Sequence, residues 1–203
     1  MSGPAGAPRT RVVLLAGPSG SGKTHLATRS GLPILELDDF YKDGSDPSLH
    51  RHPTLQIVDW DDPASWDAEA ALAAIATLCR DGRVDVPIYD IAQDGRVGTR
   101  PFEVGGAPAF VGTGIFAAEL VRPLQERGLL ADAVVVRRSR HKNFLRRLRR
   151  DLAEHRKPPW TLARRGLALM RAEPAVVARQ ISLGCRPCNR VGTLAALRAA
   201  GGR

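Results

Sequence analysis

Gly17-Pro18-Ser19-Gly20-Ser21-Gly22-Lys23-Thr24 reads as a glycine, four residues, then Gly-Lys-Thr, and it follows the apolar run Val12-Val13-Leu14-Leu15-Ala16. Each residue type has a physical job in that pattern. Glycines permit a tight turn in which successive amide N–H groups face one phosphate oxygen after another. Lys23 brings a point charge to the outer phosphates of a nucleotide, and Thr24 offers a hydroxyl to Mg²⁺. A helix starting there directs its positive end at the anion. Gly17, Ser19, Gly20, Ser21, Gly22, Lys23 and Thr24 are therefore the expected phosphate-binding set. Asp38-Asp39 is a second candidate pair.

The elements that position these residues follow from periodicity. Residues 11–16 are a buried strand, 25–30 a short helix ended by Gly31, and 33–37 a second strand. Strand, helix, strand in that order implies a parallel sheet with a right-handed crossover. Ligands of such sheets sit off the carboxyl ends of the strands, so Asp38 and Asp39 emerge at the edge that carries the phosphate loop. Residues 42–57 are a polar loop. Asp62 is expected to cap a helix with Pro63 at its first position, its core stripe being Ala68, Ala71, Leu72, Ile75, Leu78 and Cys79. Residues 84–91 and 96–104 form a hairpin turned at Asp94-Gly95. A strand over 109–113, a helix opened by Gly114 and running to about 126, and a strand over 132–136 follow. Phe144, Leu148 and Leu152 mark a helix, Pro158-Pro159 break it, and further helices cover 162–170, 174–181 and 193–199.

The chain of 203 residues is 43% hydrophobic and 25% charged, as expected of one globular domain. No apolar run reaches the ~20 residues that span a bilayer, and residues 1–9 lack the apolar segment of a secretion signal. The expectation is a cytoplasmic protein with a frayed tail over 1–10, a nucleotide-binding core over 11–137, a basic lid over 138–165 and C-terminal helices over 166–203. Three cysteines do not suggest a disulfide framework, and Cys185-Arg-Pro-Cys188 reads as two reduced thiols in a turn. Net charge is +9. Between 137 and 165 there are twelve lysines or arginines against two acids, so the remainder is close to neutral. A block so localised suits the phosphates of a small substrate. With only 5% aromatic residues and few among the arginines, nucleic acid is an unfavoured partner. A homo-oligomer stays open.

The ordered set Gly17–Thr24, Asp38-Asp39-Phe40-Tyr41, Trp60-Asp61-Asp62-Pro63-Ala64-Ser65-Trp66-Asp67, Pro87-Ile88-Tyr89-Asp90 with Arg96, and Arg146-Arg147-Leu148-Arg149-Arg150-Asp151 resembles the uridine kinases. More broadly it resembles the uridine kinase and phosphoribulokinase group of P-loop kinases. The resemblance covers residues 11 to 157. It implies an α/β fold: a P-loop NTPase kinase core, with a parallel sheet flanked by helices, a small β-hairpin and an arginine-rich helical lid. It implies ATP and Mg²⁺ as cofactors and a small hydroxylated acceptor, a nucleoside favoured. Asp38 is then the base toward the acceptor hydroxyl, and Lys23, Arg146 and Arg147 the cations on the transferred phosphate. Tyr41, Asp61, Tyr89 and Arg96 line the acceptor site, while Thr24 and Asp39 serve the metal. A kinase of a different metabolite and a nucleotide-binding protein with weak or no transfer are the alternatives.

Three positions depart from the pattern of that group. Thr113 stands where the group carries a Mg²⁺-binding glutamate, and Asp94 where it carries a pocket histidine. His155-Arg156-Lys157 replaces Arg-Gly-Arg.

Overall fold

A computed structural model describes residues 7–51, 58–153 and 159–202. Along the chain, β1 (Arg11–Ala16) leads through the phosphate loop to α1 (Lys23–Ser30) and β2 (Ile34–Glu36). Then come α2 (Ala68–Asp81), β3 (Arg83–Asp90), β4 (Gly95–Glu103), β5 (Ala109–Thr113), α3 (Val121–Glu126) and β6 (Leu130–Val136). The basic α4 (Arg140–Ala153), the long α5 (Pro159–Ser182), the short β7 (Arg186–Cys188) and α6 (Arg190–Ala200) complete it.

Five parallel strands form the central sheet in the order β2-β5-β1-β6-β7, while β3 and β4 pair separately as an antiparallel hairpin. Both faces of the sheet are covered, which is why β1 is apolar at every position from Val12 to Ala16 rather than alternating. Val12, Leu14 and Ala16 pack with Ile75, Leu78 and Cys79 of α2 on one face. Val13 and Leu15 pack with Leu26 and Ala27 of α1 and Leu197 of α6 on the other. Register sets Leu15 beside Thr113 and Thr113 beside Glu36, so β1, β5 and β2 end at one level beneath the phosphate loop.

Several elements differ from expectation. Asp62 caps only the single 3-10 turn Pro63–Ser65, through Ala64 N–H at 2.8 Å. Asp67, four residues past Pro63, caps α2 through Ala70 N–H at 2.9 Å. Gly114 does not open a helix; a 3-10 turn over Ala117–Leu120 precedes the short α3. The helices expected over 162–170 and 174–181 are one helix, with Pro174 inside it. Cys185 and Cys188 flank and end an edge strand rather than sit in a turn, and both are free thiols. Within the expected tail, Arg9 N–H reaches Cys79 O at 2.9 Å and Thr10 is buried; residues 1–6 lie outside the described residues. Among the described residues no helix is long and apolar enough to cross a membrane.

The basic helix is anchored. Asn143 Nδ2, fully buried on α4, donates to Glu173 Oε1 of α5 at 2.6 Å. Phe144 lies against Gly166 so closely that a Cβ there would be 2.8 Å from the ring.

Candidate active site

The phosphate loop begins where β1 ends, and the sequence fits its backbone. Gly17, Gly20 and Gly22 take φ of 144°, 81° and 93°, a region that side chains with a Cβ rarely adopt. Lys23 Nζ donates to Gly17 O at 2.7 Å and to Pro18 O at 3.3 Å, which folds the ammonium back over the loop. Ser21 Oγ is fully buried with no hydrogen-bond partner among the described residues, an orphan that calls for a ligand oxygen or water. Thr24, in the first turn of α1, is exposed. These groups fit a Mg²⁺-bearing polyphosphate, with anion donors from the loop and a hard hydroxyl oxygen beside them. Among the described residues no group of three or more His, Cys, Asp or Glu could hold a metal by itself. A Mg²⁺ ion here would take its remaining ligands from phosphate and water.

Beyond β2, the chain turns through a 3-10 segment, Leu37–Phe40, which sends its two aspartates to different partners. Asp38 Oδ1 accepts Ile115 N–H at 3.2 Å. Gly114 permits that approach, since a Cβ there would lie 2.9 Å from the same oxygen. Solvent reaches Asp38, but protein atoms crowd the carboxylate. That desolvation raises its pKa above the ordinary value, against the lowering pull of Lys23. Asp39 Oδ2 instead accepts from Arg100 Nη2 of β4 at 3.1 Å. The half-buried Glu36, which the motif reading passes over, shares this neighbourhood, and burial followed by Asp38 and Asp39 raises its pKa. Thr113 is buried, its hydroxyl donating to Leu15 O at 3.5 Å.

Next to Asp38, four rings make one wall. Tyr41 stands 5.7 Å from Trp60, 5.7 Å from Tyr89 and 5.9 Å from Phe116, centroid to centroid. Its hydroxyl donates to Trp60 O at 3.3 Å, and burial, then Asp38 and Asp61, raise its pKa. Tyr89 is pushed up to about 12 by burial, then by Asp94 and Asp43. Alongside is an open cavity of about 570 Å³, whose lining includes Trp60, Asp43, Asp94, Arg51 and Arg96. Asp94, at φ 48°, hands its carbonyl to Gly44 N–H, which fixes the hairpin turn against residue 44. Arg96 lines the cavity, but its guanidinium is engaged with Asp67 at 3.1 Å, Tyr41 O at 3.1 Å and Phe40 O at 3.4 Å. It is the tie between hairpin and wall, a task its sequence position does not reveal.

Among the described side chains of the basic helix, Arg146 is placed at the loop: a Cβ on Gly22 would lie 2.9 Å from Arg146 Nη1. The side chains of Arg147 and Arg150 lie outside the described residues, as do His155, Arg156 and Lys157. Arg138, unremarked in the sequence, joins Arg146. Its Nη1 is buried without a partner among the described residues, and burial, then Arg146 and Arg190, lower its pKa. Like charges that act on one another are eased by an anion among them.

No protein-family model matches the chain. Individual proteins do. Inorganic pyrophosphatase TTM1 of Arabidopsis thaliana is 33% identical over 150 residues, 70% of this chain. The chain spans only 21% of TTM1 and 20% of the related TTM2. In solved structures the chain is similar to a fructose transport system kinase of Silicibacter sp. TM1040, with TM-score 0.59 at 20% identity over 86% of this chain and 88% of that one. That likeness speaks for the fold. The uridine kinase of Chloroflexus aggregans is 30% identical over 168 residues, which is 79% of this chain and 77% of that protein. A relative aligned along most of its own length, and not merely across a phosphate loop, decides the matter: the chain belongs to the uridine kinase family of P-loop kinases.

Proposed function

We propose that the chain transfers the terminal phosphoryl group of ATP to a hydroxyl of a small acceptor, the 5′-hydroxyl of a nucleoside being favoured. The single observation that carries this reading is the position of Asp38. Its crowded carboxylate is held by Ile115 N–H and lies within electrostatic reach of the loop lysine. Phosphoryl transfer asks for positioning and charge stabilisation around an oriented hydroxyl, and this pairing supplies both. The acceptor oxygen bonds to the terminal phosphorus, the bond from that phosphorus to the bridging oxygen breaks, and ADP leaves. The acceptor proton passes to Asp38.

The loop amides of Gly17, Ser19, Gly20, Ser21 and Gly22 cradle the phosphates, and Lys23 follows the phosphate in transit. Mg²⁺, when bound, supplies Lewis-acid charge on the phosphate oxygens, with Thr24 and a nearby carboxylate, Asp39 among them, to hold it. Arg146 and Arg147 neutralise the phosphate from α4. Tyr41, Tyr89 and Asp61 orient the acceptor, with Arg96 fixing the wall behind it.

A second acceptor class rests on one observation. Asp43 and Asp94 give the cavity an acidic side, which favours an acceptor presenting hydrogen-bond donors over one presenting anions. The test is a purified-chain assay of ADP formation with Mg²⁺, ATP and a panel of nucleosides, sugars and amino-bearing alcohols, with Lys23→Ala as blank. Acceptor-dependent ADP formation that Lys23→Ala removes is the expected result. ATP binding without transfer to any acceptor would overturn the kinase reading.

A further inference from the structure

Three carboxylates, Glu36, Asp38 and Asp39, gather where β2 ends beside the phosphate loop, and two of them are committed. Asp39 is bonded to Arg100 and Asp38 to Ile115 N–H. The Glu36 carboxylate has no hydrogen bond or ion pair among the described residues, although the residue is half-buried. A partly desolvated carboxylate without a partner is costly, and a cation is the chemistry that offsets the cost.

Its direction follows from strand alternation. Leu35 joins the core on the α2 face, while Ile34 packs with Val13, Leu15 and Val111 on the α1 face. Glu36, two residues beyond Ile34, shares that second face. Register puts Glu36 beside Thr113, and Thr113 beside Leu15, two residues before the loop. Adjacent strands lie about 4.8 Å apart, so Glu36 stands one strand over from Thr113 at the same height. Thr113 carries no charge, and its hydroxyl is turned to Leu15 O. Lys23, which opens α1, and Arg100 of β4 both act on the Glu36 carboxylate through space. Its face and register place the carboxylate at the phosphate end of the sheet.

We infer that Glu36 is the carboxylate that anchors the nucleotide's Mg²⁺, through a water of the ion's shell, from the strand next to the one that ends in Thr113. This rests on the kinase reading above and adds a residue to it. Mg²⁺ keeps several waters and takes one or two protein carboxylates, so a single half-buried glutamate on a rigid strand end is sufficient.

The experiment uses the full chain, Mn²⁺ as a paramagnetic probe, and a non-hydrolysable ATP analogue, with metal affinity read by electron paramagnetic resonance. Glu36→Gln should weaken Mn²⁺ in the analogue complex by about tenfold, the size typical of outer-shell metal partners. Metal-free analogue affinity should stay unchanged. Glu36→Asp, which keeps the charge with a shorter reach, should lose less, and Asp39→Asn, whose carboxylate is already tied to Arg100, should also lose less than Glu36→Gln. Equal Mn²⁺ affinity in the parent chain, Glu36→Gln and Glu36→Asp overturns the inference. So does a loss confined to Asp39→Asn, which makes that residue the anchor. Failure of the parent chain to bind the analogue overturns the nucleotide reading itself, and the Glu36 inference with it.

Discussion

Asp38 combines two demands that pull against each other. Crowding by protein raises its pKa, while Lys23 and the Ile115 amide hold it ionised. As a base it must be deprotonated, so kcat/KM should fall as pH falls through a pKa above the ordinary carboxylate value, and the acid limb of the profile should lie correspondingly high. The stability effect has the opposite sense. A carboxyl whose folded pKa is raised favours folding at low pH and loses that contribution as pH rises through the folded value. Asp38→Asn should therefore lower kcat by about 10²–10⁴-fold and leave ATP binding intact. It should also raise the melting temperature at neutral pH, the gain vanishing below about pH 4, where both forms are uncharged. A melting temperature lowered at neutral pH would show that the ionised carboxylate is structural instead. Lys23, Thr24 and Asp38 were legible in the sequence because loop spacing and strand order fix their level on the sheet. Glu36 was not, since its lack of a partner depends on where Arg100 goes, and Arg100 bonds a residue 61 positions away.

At the scale of elements, the proposed acceptor wall includes Tyr89 of the β3–β4 hairpin and is tied to that hairpin through Arg96. That guanidinium joins β4 to Phe40 O, Tyr41 O and Asp67, while the Arg96 N–H donates to Asp43 Oδ1 at 2.7 Å. Both charged side chains of the Arg96–Asp67 pair are about one-third exposed, so its direct worth is about 1 kcal/mol or less. Its larger effect is on geometry. Arg96→Ala should raise the acceptor KM by about tenfold through lost positioning, with ATP KM nearly unchanged, in steady-state kinetics varying each substrate. Equal changes in both constants would mean that the hairpin supports the whole site. Patterning foretold this hairpin and the β1-α1-β2 unit, whose alternation and glycine stops are local signals. It misplaced the start of α2, because Asp62-Pro63 and Asp67 are both good caps and only packing of Trp66, whose Nε1–H reaches Leu37 O at 2.7 Å, decides between them. It divided α5 at Pro174 and missed β7, three residues long with a proline on the sheet edge, where a missing N–H is tolerated.

For the molecule as a whole, the concentrated positive charge matters only if α4 holds it at the phosphate loop. The described part of that helix is seated on α5 by the Asn143–Glu173 bond and by Phe144 against Gly166. Arg146 then meets Gly22 without α4 having to travel far. Gly166→Ala puts a methyl 2.8 Å from the Phe144 ring, so the ring and its helix must give way. Overpacking of this kind costs about 1–3 kcal/mol, and the displacement carries Arg146 off the loop. The expected kinetic result matches Arg146→Ala: kcat falls by about tenfold or more while ATP affinity changes little, if the arginine acts on the phosphate in transit as proposed. Phe144→Leu in the same chain makes room for the methyl and should return kcat toward the parent value, although Phe144 touches no substrate. A double variant as slow as Gly166→Ala alone would show that the α4–α5 contact does not position Arg146. An unchanged kcat in Gly166→Ala and Arg146→Ala alike would remove the basic helix from catalysis. Its charge would then be left to an anion of another kind, checked by binding of random-sequence RNA across a salt series.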